Sequence, residues 1–199
     1  MTPRARPLPA EDRQRAIIEA TLPLLLEHGR TVTTRQIADA AGVAEGTIFR
    51  VFDTKEELIG QALETAFDLR PFLADLARIE PDQPLRHRLL DLATLLQIRF
   101  RGVFALMAAM GVPGPPRAHR HDRELIAEGA RLMTGLIEPD ANRLACTPAD
   151  LAHRLRLLTF AGSHPHITDG HLLTPEQIVT TVLDGLLIKE VPDAAADRP

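Results

Sequence analysis

A chain of 199 residues with 45% hydrophobic and 25% charged side chains has the balance of an ordinary globular protein and is long enough to bury a real core. Its formal net charge of −4 excludes a protein that coats nucleic acid through bulk positive charge, though not one that presents a small basic face. A single cysteine, Cys146, excludes an internal disulfide framework, and the absence of Trp and Tyr leaves aliphatic residues, Phe and Met to line any ligand pocket.

The N-terminal stretch "MTPRARPLPAEDR" has arginines but not the apolar core of a secretory signal. No apolar run is expected to approach the length of a membrane span, so the expected compartment is the reducing cytoplasm. Apolar residues then recur at helical spacing, and strand alternation is nearly absent. Ile17, Ala20, Thr21, Leu24 and Leu25 form one helical face, and Leu58, Ile59, Ala62, Leu63, Ala66 and Phe67 form another. A long third face runs from Leu89 through Leu92, Ala93, Leu96, Phe100, Val103 and Phe104 to Met107. Leu151, Leu155, Leu158 and Gly162 mark a fourth, and Ile178, Val179, Val182, Leu183, Leu186 and Leu187 mark the last. The pattern predicts an all-α fold.

Helix starts are signed by capping residues. Thr33 with Gln36, Thr54 with Glu57 and Thr174 with Gln177 have the spacing of a capping box, in which a hydroxyl and an acceptor side chain satisfy two orphan amides. Thr147-Pro148 and Thr174-Pro175 put a capping hydroxyl before a proline at the first helical position. Pro71 disfavours continuation of the helix that starts after Thr54, and "EPDQP" at 80–84 reads as a turn. The stretches 111–121 and 162–171 read as surface loops, and 192–199 as a flexible tail.

Within "TTRQIADAAGVAEGTIFRVF" two short apolar-periodic segments flank Gly42. Two helices joined by a tight glycine turn, the second one short, make a helix-turn-helix, in which the first helix braces a protruding second one. Ile37, Ala40 and Ala41 are expected to face inward on the bracing helix, with Val43 and Ile48 closing the small core. Gly42 is expected to take the left-handed conformation of a tight helix end.

The stretches "TTRQIADAAGV", "GTIFRVF" and "TKEEL", with "RAIIEATLPLLLEHG" upstream ending at Gly29, resemble the DNA-binding domain of the TetR family of transcriptional regulators. The resemblance covers residues 13–63. It implies an N-terminal arm and helix-turn-helix DNA-binding domain at 1–53, a connecting helix at 54–70, and a helical ligand-binding and dimerisation domain at 71–191. It further implies a homodimer formed through about 147–161 and 174–190, double-stranded DNA with a palindromic operator as partner, and a small-molecule effector. Neither a membrane partner nor a cofactor is expected. Family members often carry Ser where this chain has Ala44, Lys where it has Glu45, and a Tyr pair where it has Phe49 and Arg50. Ala44 lacks a capping hydroxyl, Glu45 removes a positive charge and can accept from a cytosine amine, and Arg50 can read guanine with two hydrogen bonds. A guanine in each half-site is therefore expected.

The expected DNA contacts are Thr33, Thr34 and Arg35 at the start of the bracing helix, Ala44, Glu45, Thr47, Phe49 and Arg50 on the recognition helix, and Lys55 after it. Thr33, Thr34 and Lys55 suit phosphate, Thr47 and Arg50 suit base edges, and Phe49 suits sugar-phosphate packing. The bland alternatives are a helix cap for the threonines, a salt bridge to Asp53 for Arg50, and a core position for Phe52. The first 60 residues carry eight Lys and Arg against nine Asp and Glu, a low positive balance for a DNA-binding domain, and Arg4 and Arg6 on the arm could supplement it in a minor groove.

For a ligand site the expected lining is Leu96, Gln97, Phe100, Phe104, Met107, Met110, Leu132 and Met133, apolar except for Gln97 as an anchor. The same stripe is what a plain core would show. His164, His166, Asp169 and His171 crowd one stretch, but Pro165 and Asp169-Gly170 read as a helix-connecting loop, and no metal is expected. The chain has no nucleophile elbow, P-loop or dinucleotide glycine pattern, so it is not expected to be an enzyme. The leading reading is a regulator, mostly a repressor in this family, released from its operator by an apolar or amphipathic small molecule. A DNA-binding regulator without a ligand is the alternative. A helical binding protein or enzyme that keeps the helix-turn-helix as structure is the third reading.

Overall fold

The computed structural model describes residues 9–112 and 123–186, in which nine α-helices and two short 3-10 segments occur and no strand does. The chain divides into two compact units, Met1–Leu69 with Arg101–Arg123, and Arg70–Phe100 with Glu124–Pro199. The connecting helix expected at 54–70 thus packs as part of the first unit, which also takes in a later stretch of chain.

In the first unit α1 spans Ala10–His28, α2 Thr34–Ala41, α3 Glu45–Ile48 and α4 Lys55–Phe67. Its core joins Ile17 and Leu25 of α1, Ile37 of α2, Ile48 of α3 and Leu58 and Ala62 of α4, all fully buried. Burial of each of the larger of these side chains is worth about 1.5–3 kcal/mol. Ala38, not Ala40, shares the inward face of α2 with Ile37; Ala40 is exposed and Ala41 half-buried, because the face that meets α1 is set by Ile37.

In the second unit α5 spans Arg70–Leu76, α7 Arg123–Gly135, α8 Pro148–Gly162 and α9 Pro175–Leu186, with a 3-10 segment at Glu138–Arg143. Pro71 sits in the first turn of α5, so it opens a new short helix instead of only ending the previous one. The core here includes Leu76, Leu89, Leu92, Ile137, Leu151, Leu155 and Ile178. Among the apolar residues is one buried cation: the Arg88 side chain is 3% exposed and pairs with Asp140, while its Nη1 donates to the Pro81 carbonyl at 3.1 Å.

The long helix α6, Leu85–Met110, contributes residues to both units. By length and composition it is apolar enough to cross a membrane, which corrects the expectation that no run approaches that length. The apolar character has another use here. Leu89, Leu92, Ala93 and Leu96 fill the core of the second unit, while Leu106 and Met110 fill that of the first.

Capping follows the sequence closely. Thr33 makes both halves of its box with Gln36: the Gln36 amide donates to Thr33 Oγ1 at 3.2 Å, and the Thr33 amide donates to Gln36 Oε1 at 2.8 Å. Thr174 and Gln177 do the same, and Thr147 accepts from the Asp150 amide ahead of Pro148. Thr54 does accept from the Glu57 amide at 3.0 Å. The Glu57 carboxylate, however, accepts from the Asp53 amide at 2.7 Å instead of closing the box on Thr54.

Candidate nucleic-acid interface

The recognition element is built from local backbone geometry. Gly42 ends α2 at φ 65°, ψ 31°, the left-handed conformation a side chain would disfavour. Its amide donates back toward Ala38 and Asp39, and the Val43 amide donates to the Ala38 carbonyl at 3.0 Å, so the carbonyls at the end of α2 are satisfied within the turn. Ala44 then holds the N-cap of α3 with no side-chain cap, as expected of an alanine there. Only Glu45–Ile48 is regular α-helix, but the amides of Arg50, Val51 and Phe52 continue to donate to carbonyls three and four residues back. Ile48 and Phe52, 0% and 1% exposed, anchor this segment in the core.

What remains outside is a compact polar surface. Arg35, Ala44, Glu45, Gly46, Phe49 and Arg50 are exposed, and Thr47 is half-buried. Phe49 leaves 52% of its surface in water, while Phe52 is core. Arg50 forms no ion pair with Asp53 among the described residues, so the bland alternative for it is not realised.

The hydroxyls and the ammonium expected to meet phosphate have internal partners that spacing alone does not reveal. The Thr33 hydroxyl is committed to Gln36. Thr34 Oγ1 donates to the Glu45 carboxylate across the turn. A hydroxyl has one proton to give, so in this arrangement neither threonine hydroxyl has one left to donate outward. Lys55 Nζ donates to the Arg30 carbonyl at 3.2 Å, and Arg30 Nε in turn donates to the Met110 carbonyl at 3.1 Å. An ammonium has three protons, so this bond fixes Lys55 while leaving it able to hold a phosphate. Arg30 thus links Lys55 to the Met110 carbonyl, a contact to residue 110 that leaves no periodic signal in the sequence. Arg4 and Arg6 lie outside the described residues.

The residues expected to line a ligand pocket separate. Leu96, Gln97, Phe100, Leu132 and Met133 belong to the second unit, where Leu96 and Met133 are core and Phe100 packs edge-to-face on Phe160 with centroids 5.2 Å apart. Phe104 lies in the stretch grouped with the first unit, and Met107 and Met110 pack in that unit's own core. One helical stripe thus serves two cores. Gln97 is buried and donates to the Leu173 carbonyl at 2.7 Å, so its amide holds the chain before α9. An open groove of about 270 Å³ in the second unit is lined by Asp75, Arg78, Ile79, Glu80, Gln83, Asp91, Thr94 and Leu95, none of which the sequence reading singled out. No group of three metal-ligating side chains occurs among the described residues, His164, His166, Asp169 and His171 included.

Fold and surface together define a helix-turn-helix unit with an exposed polar face. Residues 17–62 match the family model of bacterial regulatory proteins of the tetR family. The transcriptional repressor KstR2 of Rhodococcus jostii RHA1 is 36% identical over 77 residues, 35% of each chain, so the match spans about a third of that relative's length. A TetR transcription regulator from Haloarcula marismortui shares the fold with a TM-score of 0.65 at 19% identity, over 89% of this chain and all of that one. So does SmeT, the repressor of the Stenotrophomonas maltophilia multidrug efflux pump SmeDEF (TM-score 0.55, 18% identity, 94% of this chain and 96% of that one). SmeT has also been solved as a triclosan complex, which matches with a TM-score of 0.56 at 17% identity, over 94% and 99% of the two chains. The family match thus covers the helix-turn-helix unit, residues 17–62, and the solved structures share the fold of the chain.

Proposed function

We propose that the protein is a cytoplasmic transcriptional repressor that binds a palindromic operator as a homodimer and leaves it when an apolar or amphipathic small molecule binds the second unit. The observation that carries this reading is the α2-turn-α3 surface, where Arg35, Glu45, Phe49 and Arg50 stand exposed on elements whose opposite sides are locked into a core. Arg50 offers the forked donors that suit the N7 and O6 acceptors of guanine. Arg50→Ala is expected to cost about 1–3 kcal/mol of operator binding and to relax preference at one base pair. Lys55→Ala is expected to weaken all duplexes about equally and to lower the salt slope by about one. Anisotropy titrations of labelled duplexes over a salt series measure both. An Arg50→Ala variant with unchanged affinity and preference removes Arg50 from the base readers.

Support for a dimer comes from α8, which leaves Leu157 and Phe160 47% and 39% exposed at helical spacing on one side. A second copy of this face, with α9, would cover them. Replacing both with glutamate is expected to shift the protein to monomer in sedimentation velocity and to weaken operator binding, because two half-sites are no longer held by one particle.

Release requires that the ligand prefer a conformation whose recognition helices do not fit the operator. A coupling of about 1–3 kcal/mol, or 5–150-fold in operator affinity, makes a useful switch. The SmeT–triclosan complex supports ligands of this class. Titration of operator-bound protein with apolar and amphipathic compounds tests it. If such compounds change neither melting nor operator affinity, the regulator works without a small-molecule effector.

A further inference from the structure

We infer that Glu45 is a specificity-determining residue that accepts from the exocyclic amine of one cytosine in each half-site, and that Thr34 positions its carboxylate. The inference rests on the DNA-binding reading above and names the base chemistry of that same surface.

Glu45 is the first residue of α3 and is exposed on the surface that carries Phe49 and Arg50. A carboxylate on a face that approaches phosphates is repelled by them, so its presence there needs a compensating donor. No Lys, Arg or His pairs with Glu45 among the described residues. Its partner is neutral: Thr34 Oγ1, from the helix on the other side of the turn, donates to Oε1. This bond ties the carboxylate to the bracing helix while leaving Oε2 and its lone pairs available.

A carboxylate can only accept. In the major groove guanine presents N7 and O6 acceptors and thymine presents O4, all of which repel it. Adenine offers an amine but sets the N7 acceptor beside it. Cytosine offers its amine with no neighbouring acceptor on the same base edge, so it is the base the carboxylate selects. A glutamine of the same length both donates and accepts, which suits the paired N6 and N7 of adenine. The charge also works against unspecific binding, since a duplex lacking a cytosine at that position meets the carboxylate with no donor to offset it.

The test is selection of bound duplexes from a random pool with the full chain and with Glu45→Gln, Glu45→Ala and Thr34→Val. In the wild type one position of each half-site is expected to be cytosine. In Glu45→Gln that position moves to adenine, and in Glu45→Ala its preference falls by roughly tenfold or more, with the other positions unchanged. Thr34→Val removes the donor but not the Thr33 cap, and is expected to shift the same position in the same direction as Glu45→Ala, by less. In the Glu45→Ala background Thr34→Val is expected to change nothing, the result that separates positioning from a separate DNA contact. A motif identical in the wild type and Glu45→Gln overturns the assignment and leaves the DNA-binding reading standing. No enriched motif from the wild type overturns both.

Discussion

Gly29→Ala is expected to destabilise the first unit by about 3 kcal/mol or more, and to do so far more than the same change at Gly42. Gly29 follows α1 with φ 55° and ψ −136°, a region that costs any residue with a Cβ about 1–3 kcal/mol. A methyl group placed there would also stand 2.3 Å from the Ala109 carbonyl oxygen and 3.3 Å from its carbon. Both are backbone atoms of α6, so relief requires a helix to shift, not a side chain to turn. Gly42 provides the internal control. It too has positive φ, but a Cβ there meets nothing within 4 Å, so only the left-handed penalty of about 1–2 kcal/mol applies. The protein has no Trp or Tyr, so far-UV circular dichroism through a urea titration is the suitable readout. Equal losses for the two variants would mean that the close approach of Gly29 to α6 contributes nothing to stability.

The second large effect is expected at the buried pair in the other unit. Asp140→Ala leaves the Arg88 guanidinium, 3% exposed, without its carboxylate. Removal of one partner of a buried pair costs about 3–5 kcal/mol, because the remaining charge is stranded in low dielectric. Asp140 also accepts from Arg143 Nη1 at 2.6 Å, but that side chain is 61% exposed and loses little when the bond is cut. Arg88 already has a cost built in, since its Nε is buried with no partner among the described residues. Arg88→Met added to Asp140→Ala is therefore expected to restore stability, since an apolar side chain of similar length needs no counter-charge where the guanidinium lies buried. Urea titrations of the two single variants and the double variant measure this. A double variant less stable than Asp140→Ala alone would show that the cation itself holds the fold together.

These two sites mark how far a linear reading reaches. The capping box at Thr33, the left-handed turn at Gly42 and the core role of Phe52 were legible, because each depends on residues within four positions of one another. The box at Thr54 was half legible: its hydroxyl cap holds, but the Glu57 carboxylate has two backbone amides within reach and takes that of Asp53. Pro71 disfavours continuation of the preceding helix and lies in the first turn of the next, which a proline permits equally well.

The candidate site divides in the same manner. Which residues occupy α2, the turn and α3 followed from the sequence, while their partners did not. Thr34 meets Glu45 eleven positions away, and Lys55 is fixed through Arg30, which is itself held by a carbonyl eighty positions on. The stripe from Leu89 to Met107 shows the same limit in apolar form. Helical spacing says that these residues share a face, but not which core each part of the face enters, and here it enters two.

By itself the sequence determined an all-α chain, the helix ends, and a helix-turn-helix, because propensity, capping and periodicity act over a turn or two of chain. Only the tertiary structure decided that Thr34 holds Glu45, that Gly29 must be bare against α6, that Asp140 neutralises Arg88, and that α6 supplies both cores. Each of these depends on which distant atoms come within a few ångströms, and packing, not spacing along the chain, sets that distance.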